Sequence, residues 1–400
     1  MKTMVSLLIA LLAFSSCNAD SRTTDEMKPQ KVYRIVYEMR SNDWYKQQAE
    51  LWKKEIEKNP ASEEAWYNFY NANRYAHFED IENKDKQARL DKIIDDMGKA
   101  IPETYTFYLL KYWNMYSCDD YSLVEKAYAI NPDRPDTYYP FLSRAEIYGD
   151  KKSLLKFAKK LYESKDISPW LYEYNYNVLI SVKPNAILFT NGDNDTYPAW
   201  ILQQVHNVRP DVTVMNLSLC HVEEYLQNKL NSSGIKASAK EILNNAKISL
   251  EDKTTHFDNQ KMVNNLIQIF QEQKPEIPLC FALTVYKKYT EDISDKLYII
   301  GLAYQFSKER IDNIAQIKKN LENNMRLDHL KYDWYNENQL GINNMHNLNM
   351  NYVVPMIMLA EHYKESGEIN KQNDWKNMAI VLAEKAGKTE VLDEIKKKGL

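Results

Sequence analysis

Between Pro184 and Leu217 the hydrophobic pattern changes period twice, and that change constrains the fold more than any other feature of the 400 residues. Ala186-Ile187-Leu188-Phe189-Thr190 is a compact apolar run bounded by Pro184 and Gly192, as expected of a strand buried on both faces. Asn191 to Asp195 reads as a turn, and Thr196 is placed to cap a helix with Pro198 in its first turn. That helix continues through Trp200, Ile201, Leu202 and Val205 and stops at Val208-Arg209-Pro210-Asp211. Val212 to Leu217 is a second apolar run. Two buried strands joined by one helix must run parallel, through a right-handed crossover. Ile277 to Thr284 gives a third strand, and Lys296 to Tyr304 a fourth, expected to be antiparallel.

The flanking segments keep helical spacing, so the chain reads as multidomain α and α/β. Tetratricopeptide-like helical arrays flank a small Rossmann-like β-α-β sheet. Expected divisions are a leader at 1–16, a tether at 17–36, a helical domain at 37–183, the α/β domain at 184–305 and a C-terminal helical domain at 306–400. In the first array, Trp44 to Ile56 is helical, Asn59-Pro60 stops it, and Ser62-Glu63-Glu64 caps the next helix with acids in its first turn. The same order returns at Val124 to Pro132 and Asp136 to Tyr139, which resembles the tetratricopeptide repeat. Helices are expected at 154–164 and 170–181, and later at 311–325, 353–363, 374–385 and 389–398, with 334–351 irregular. A repeat array offers a concave surface for a partner chain, here an envelope protein.

The N-terminus reads as an address. Lys2 precedes an apolar run from Met4 to Phe14, then Ser15-Ser16-Cys17, which together describe a secretory leader with a lipobox-like end. Cys17 is the expected lipidation site. The expected location is the cell envelope, anchored by lipid to the outer or inner membrane, facing the periplasm or the surface. No later apolar run is long enough to span a bilayer. Cys118, Cys220 and Cys280 are far apart and form no C-x-x-C, so buried free thiols are expected.

Several chemistries lose support. The nine glycines form no G-x-G-x-x-G or P-loop, no H-E-x-x-H or G-x-S-x-G occurs, and a net charge of −4 with no basic block gives no footprint for nucleic acid. What remains is the strand-end turn. Parallel sheets bind ligands at the carboxyl ends of their strands. Those ends carry Gly192, Asp193, Asn194, Asp195 and Thr196, then Asn216 and Ser218, then Thr284. Asp193 and Asp195 could hold a divalent cation, or one could act as a general base. Alternatively Asp195 caps the helix while Asp193 and Asn194 shape the turn. The residues support either a ligand site or a cap. Two function classes stay open: an interaction scaffold, and a metal-assisted glycan-processing enzyme or hydrolase using Asp193 and Asp195. The many Tyr and Trp, which could stack on sugar rings, would also allow glycan binding, though most sit at helical core spacing.

The run Ile187 to Trp200, with Val208 to Val212, Asn216 to Leu219 and Gly301 to Tyr304, resembles a motif of Bacteroidota membrane proteins described as protein O-mannosyltransferase-like or as of unknown function. There these segments lie in a soluble part that follows many membrane spans. The resemblance covers roughly 184–365 and implies a shared extracytoplasmic accessory domain, without carrying over a transferase activity.

Overall fold

The computed structural model describes residues 28–76, 84–115, 120–249, 255–332 and 341–398. Cys17 with the leader, and Cys118, lie outside the described residues. The protein is mostly helical with a small mixed five-stranded sheet. Two compact units divide between Pro140 and Phe141.

The first unit holds helices α1 (Asn42–Lys58), α2 (Glu63–Tyr75), α3 (Lys84–Ala100), α4 (Tyr105–Asn114) and α5 (Ser122–Ile130). Each packs on the next, and α2 also packs on α4. The punctuation follows the sequence. Asn59 ends α1, the Ser62 hydroxyl accepts the Ala65 N–H at 3.2 Å, and Asn131 ends α5. Trp66 and Tyr70 of α2 bury against Leu90, Ile93, Ile94 and Met97 of α3, each such side chain contributing about 1.5–3 kcal/mol of hydrophobic stabilisation. Residues 28–36, read above as the end of a tether, are also held: Val32 is wholly buried among Tyr45, Ala49, Trp52 and Ala72.

The second unit holds α6 (Tyr138–Tyr148) from Phe141 onward, then α7 (Lys151–Ser164) and α8 (Pro169–Ser181). Strand β1 (Ile187–Thr190), α9 (Asp193–His206) and β2 (Thr213–Asn216) follow. Next come α10 (Glu223–Ser232), α11 (Ala239–Ala246), the short antiparallel pair β3 (Lys247–Ser249) and β4 (Thr255–Phe257), α12 (Asn259–Gln273) and β5 (Leu279–Ala282). The sheet closes with β6 (Leu297–Ile299) and β7 (Ala303–Phe306), in the order β2-β1-β5-β7-β6. The first three are mutually parallel and the last two antiparallel. β1 and β5 are buried at every position, and Phe189 stacks on Phe281 at 4.7 Å. Cys220 and Cys280 are buried free thiols, and burial pushes both up to about 12.

Three expectations are corrected. The fourth strand is a hairpin, because Gly301, at φ +138, turns the chain inside an unbroken apolar run. A Cβ on Gly301 would stand 2.7 Å from the Ser181 hydroxyl and 2.8 Å from Met325 Cε, so glycine is required there. The helix at 311–325 is α13 (Asn313–Lys319) followed by a π turn, Asn320–Asn324, where the Asn320 amide donates to the carbonyls of Ser181 and Ile300. The described part of the irregular segment is α14 (Ile342–Asn349) and one 3-10 turn, with Met345 and Met350 buried. Three further helices complete the unit: α15 (Val353–Glu365), α16 (Ile369–Lys385) and α17 (Thr389–Lys397).

The end of α8 is tied to the entry of β2 by Arg209. Its guanidinium donates to the carbonyls of Leu179, Val182 and Lys183, each at 2.9 Å, and grips both oxygens of Asp211 at 2.9 Å. Asp211 also accepts the Asn185 N–H at 2.9 Å. Arg209 holds φ +46, a left-handed conformation costing about 1–2 kcal/mol that these bonds offset. The Arg209 fork holds the Asp211 carboxyl down at about 2, against an ordinary 3.8. A lowered acid stabilises the fold fully above its unfolded pKa and loses that contribution as pH falls through the folded one. The stability gap between wild type and Asp211→Asn in urea titrations is therefore expected to be full at pH 6 and to close between about pH 4 and pH 2. A gap that does not change with pH would remove the ion pair from the account.

Candidate functional site: the strand-end junction

The parallel strands end level with one another. Thr190 pairs with Asn216 across β1 and β2, and Phe189 pairs with Phe281 across β1 and β5. Beyond these ends lie Asn191 and Gly192, the start of α9, Ser218 and Thr284. The chain leaves β1 towards β2 on one side and later returns to β5 on the other, so the carboxyl ends of β1 and β5 form a topological switch point.

Asp195 occupies the centre. It is 2% exposed. Its Oδ2 accepts the Asn191 N–H at 2.8 Å, its Oδ1 accepts the Gly192 N–H at 2.8 Å, and the Thr284 hydroxyl donates to Oδ2. Asp195 is the third residue of α9 and reaches back to the cap residue Gly192, which is half of a capping box. The helix thus begins at Asp193, and the expected cap at Thr196 is corrected. Gly192 has no side chain to announce a cap, so the carboxylate three residues on defines the start instead. Burial pushes the Asp195 carboxyl up, opposed by the donors from Thr284, Asn191 and Gly192.

Thr196 forms a second layer. Its hydroxyl lies 2.8 Å from that of Thr190, receives the Asn216 amide at 2.8 Å and stands 3.4 Å from Asp195 Oδ1. The arrangement that serves every contact has Thr190 donating to Thr196 and Thr196 donating to Asp195. The Asn216 oxygen accepts the Leu219 N–H at 2.9 Å, and the Asn216 N–H meets the Tyr225 hydroxyl at 2.9 Å. Ser218 is exposed and donates to the Asn191 carbonyl at 3.2 Å.

Pro198 lies in the second turn of α9 rather than the first. Proline has no N–H, so the carbonyl of Asn194 four residues earlier loses its helical donor. Asn175 of α8 supplies one at 2.8 Å. The missing donor at Pro198 is the one signal in the sequence that could have pointed to Asn175.

Among the seven residues expected to form a ligand site, Asp195, Thr196 and Asn216 are buried and bonded within the junction. Asp193 is exposed in the first turn of α9, where the helix dipole favours its charge. Of the two carboxylates expected to share a cation, Asp195 is buried and Asp193 is exposed. Among the described residues no group of three or more His, Cys, Asp or Glu could hold a metal ion. Gly192 stays open: at φ −144 any residue would serve, and a Cβ there would meet nothing within 4 Å.

Asp195→Asn would set an amide N–H₂ against a backbone N–H donor. It is expected to destabilise the fold by about 1–3 kcal/mol, and Thr284→Val by about 1 kcal/mol, in chemical denaturation. Wild-type stability in Asp195→Asn would show that the carboxylate is not the lock.

Comparison with known proteins places a match at the junction itself. Residues 171–234 match the family model of TMEM260-associated domain 2. That span runs from α8 through β1, α9 and β2 to α10 and contains Asn175, Asp195, Arg209, Asp211 and Asn216. No curated protein matches the chain.

Proposed function

We propose that the protein is an interaction scaffold of the cell envelope, anchored through lipid on Cys17 and binding a protein partner through its helical array. The observation that carries this reading is the Asp195 carboxylate. The best placed acid at the strand ends has both oxygens engaged by backbone and hydroxyl donors, so it acts as a joint in the framework. Helices packed each on the next support a tetratricopeptide-like reading of the first unit. The parallel β1-α9-β2 arrangement supports a Rossmann-like reading of the sheet. The anchor rests on the run from Met4 to Cys17. Outside the cytoplasm, the α/β part would serve as the accessory domain that the resemblance implies.

A second reading has one observation in its favour. Neither backbone strain nor packing calls for glycine at 192, and the exposed Asp193 and Ser218 lie with it beyond the strand ends. A small ligand or cation at this rim would make the chain a glycan-processing enzyme or hydrolase.

Thermal unfolding with millimolar Mg²⁺, Mn²⁺ or Ca²⁺ separates the two. The scaffold reading expects an unchanged midpoint. A rise that Asp193→Asn abolishes, while Asp193→Asn alone unfolds as wild type does, would overturn it in favour of the second. Asp193 is the residue to change, because Asp195 variants report on the lock.

A further inference from the structure

Residues 28–41, just before α1, form no helix or strand, only a turn at 35–37, yet the helices hold them as they would hold a separate peptide. Its backbone groups are met by side chains. The Gln30 N–H donates to Gln48 at 2.6 Å, and the Gln30 carbonyl accepts the Trp52 indole at 2.7 Å, both from α1. The Val32 N–H donates to the Asn68 amide oxygen of α2 at 2.6 Å. The Asn68 nitrogen donates to the Glu64 carbonyl at 2.8 Å, which fixes the oxygen towards the segment. Residues 30 and 32 are thus engaged alternately, with the period of an extended chain. Two side chains give the selectivity. Val32 is wholly buried, and the Arg34 guanidinium lies 5.3 Å from the Trp113 ring centroid and 4.9 Å from that of Tyr139.

The fit leaves something unmet. Asn71, one turn beyond Asn68 on the same face of α2, is fully buried, and neither of its amide atoms has a partner among the described residues. A buried amide left unpaired is costly.

We infer that the face formed by α1, α2 and the end of α4 is a peptide-binding surface occupied in cis by Lys28–Arg40. Its outside ligand is an extended segment with a β-branched residue followed two positions later by arginine. This rests on the scaffold reading and names the chemistry of its partner. The cis segment competes at the high effective concentration of a tethered ligand, so the surface opens only to a better one.

The test uses the full chain with a protease site inserted between Arg40 and Ser41, cut after folding. A fluorescein-labelled peptide of residues 28–40 is then added and followed by anisotropy. It should exchange into the cut protein and saturate. A peptide with Val32→Asp and Arg34→Ala should fail to compete, and Asn68→Ala in the protein should weaken binding about tenfold. In the uncut chain the labelled peptide should bind weakly, and Arg34→Ala in the protein should raise its apparent affinity. Three results would overturn the inference. Loss of helical circular dichroism on cutting would make the segment part of the core. Failure of the labelled peptide to enter would do the same. A wild-type dimer that excess peptide dissolves would reassign the surface to a second copy. None of these touches the scaffold reading, which falls on the metal-dependent midpoint above.

Discussion

One carboxylate organises the second unit. Asp195 closes the turn after β1 by taking two successive backbone N–H groups, sets the first residue of α9, and reaches β5 through Thr284. Thr196 extends the contact to Thr190 and Asn216, so a single turn of helix binds the ends of three strands. The energetic weight of such a cluster comes from its burial. Each donor is worth only about 1 kcal/mol net when made, but leaving one unmade in this environment costs the full desolvation of the group. A junction of this kind fixes the relative height of the strands.

Arg209 does at the other end of the sheet what Asp195 does at the strand ends. It satisfies carbonyls at the C-terminus of α8 that have no intrahelical donor, while Asp211 neutralises its charge. The two clusters explain, in structural terms, the most distinctive blocks of the sequence around Asn191–Trp200 and Val208–Val212. Asp195, Arg209 and Asp211, whatever else they do, join elements here.

How much of this was legible in the sequence depends on whether the signal was local. β1 and β2 were plain as apolar runs between turn residues, and the helix boundaries at Asn59 and Asn131 were written in their Asn-Pro pairs. The β6–β7 hairpin was not, because its turn depends on one glycine inside Ile299-Ile300-Gly301-Leu302-Ala303, where hydrophobicity never falls. α14 was hidden by asparagines of poor helix propensity and is decided by the burial of Met345 and Met350. At the site, the choice between ligand and cap for Asp195 could not be made from spacing. Both uses need a carboxylate beside a helix start, and the partner Thr284, 89 residues away, has no local signal. The docking of Val32 was equally invisible, since a polar segment with scattered apolar residues reads as a tether until a partner surface is seen.

The proline in α9 bears on how this unit could be moved or copied. Because Pro198 leaves the Asn194 carbonyl to be met by Asn175, the β1-α9-β2 segment does not carry all of its own hydrogen bonds. Arg209 reaches back for three more, to Leu179 of the same helix and to Val182 and Lys183 just beyond its end. The β-α-β segment is thus not a portable module by itself: a graft or excised fragment beginning at Pro184 would leave these partners behind, and one that takes α8 whole, from Pro169, keeps them.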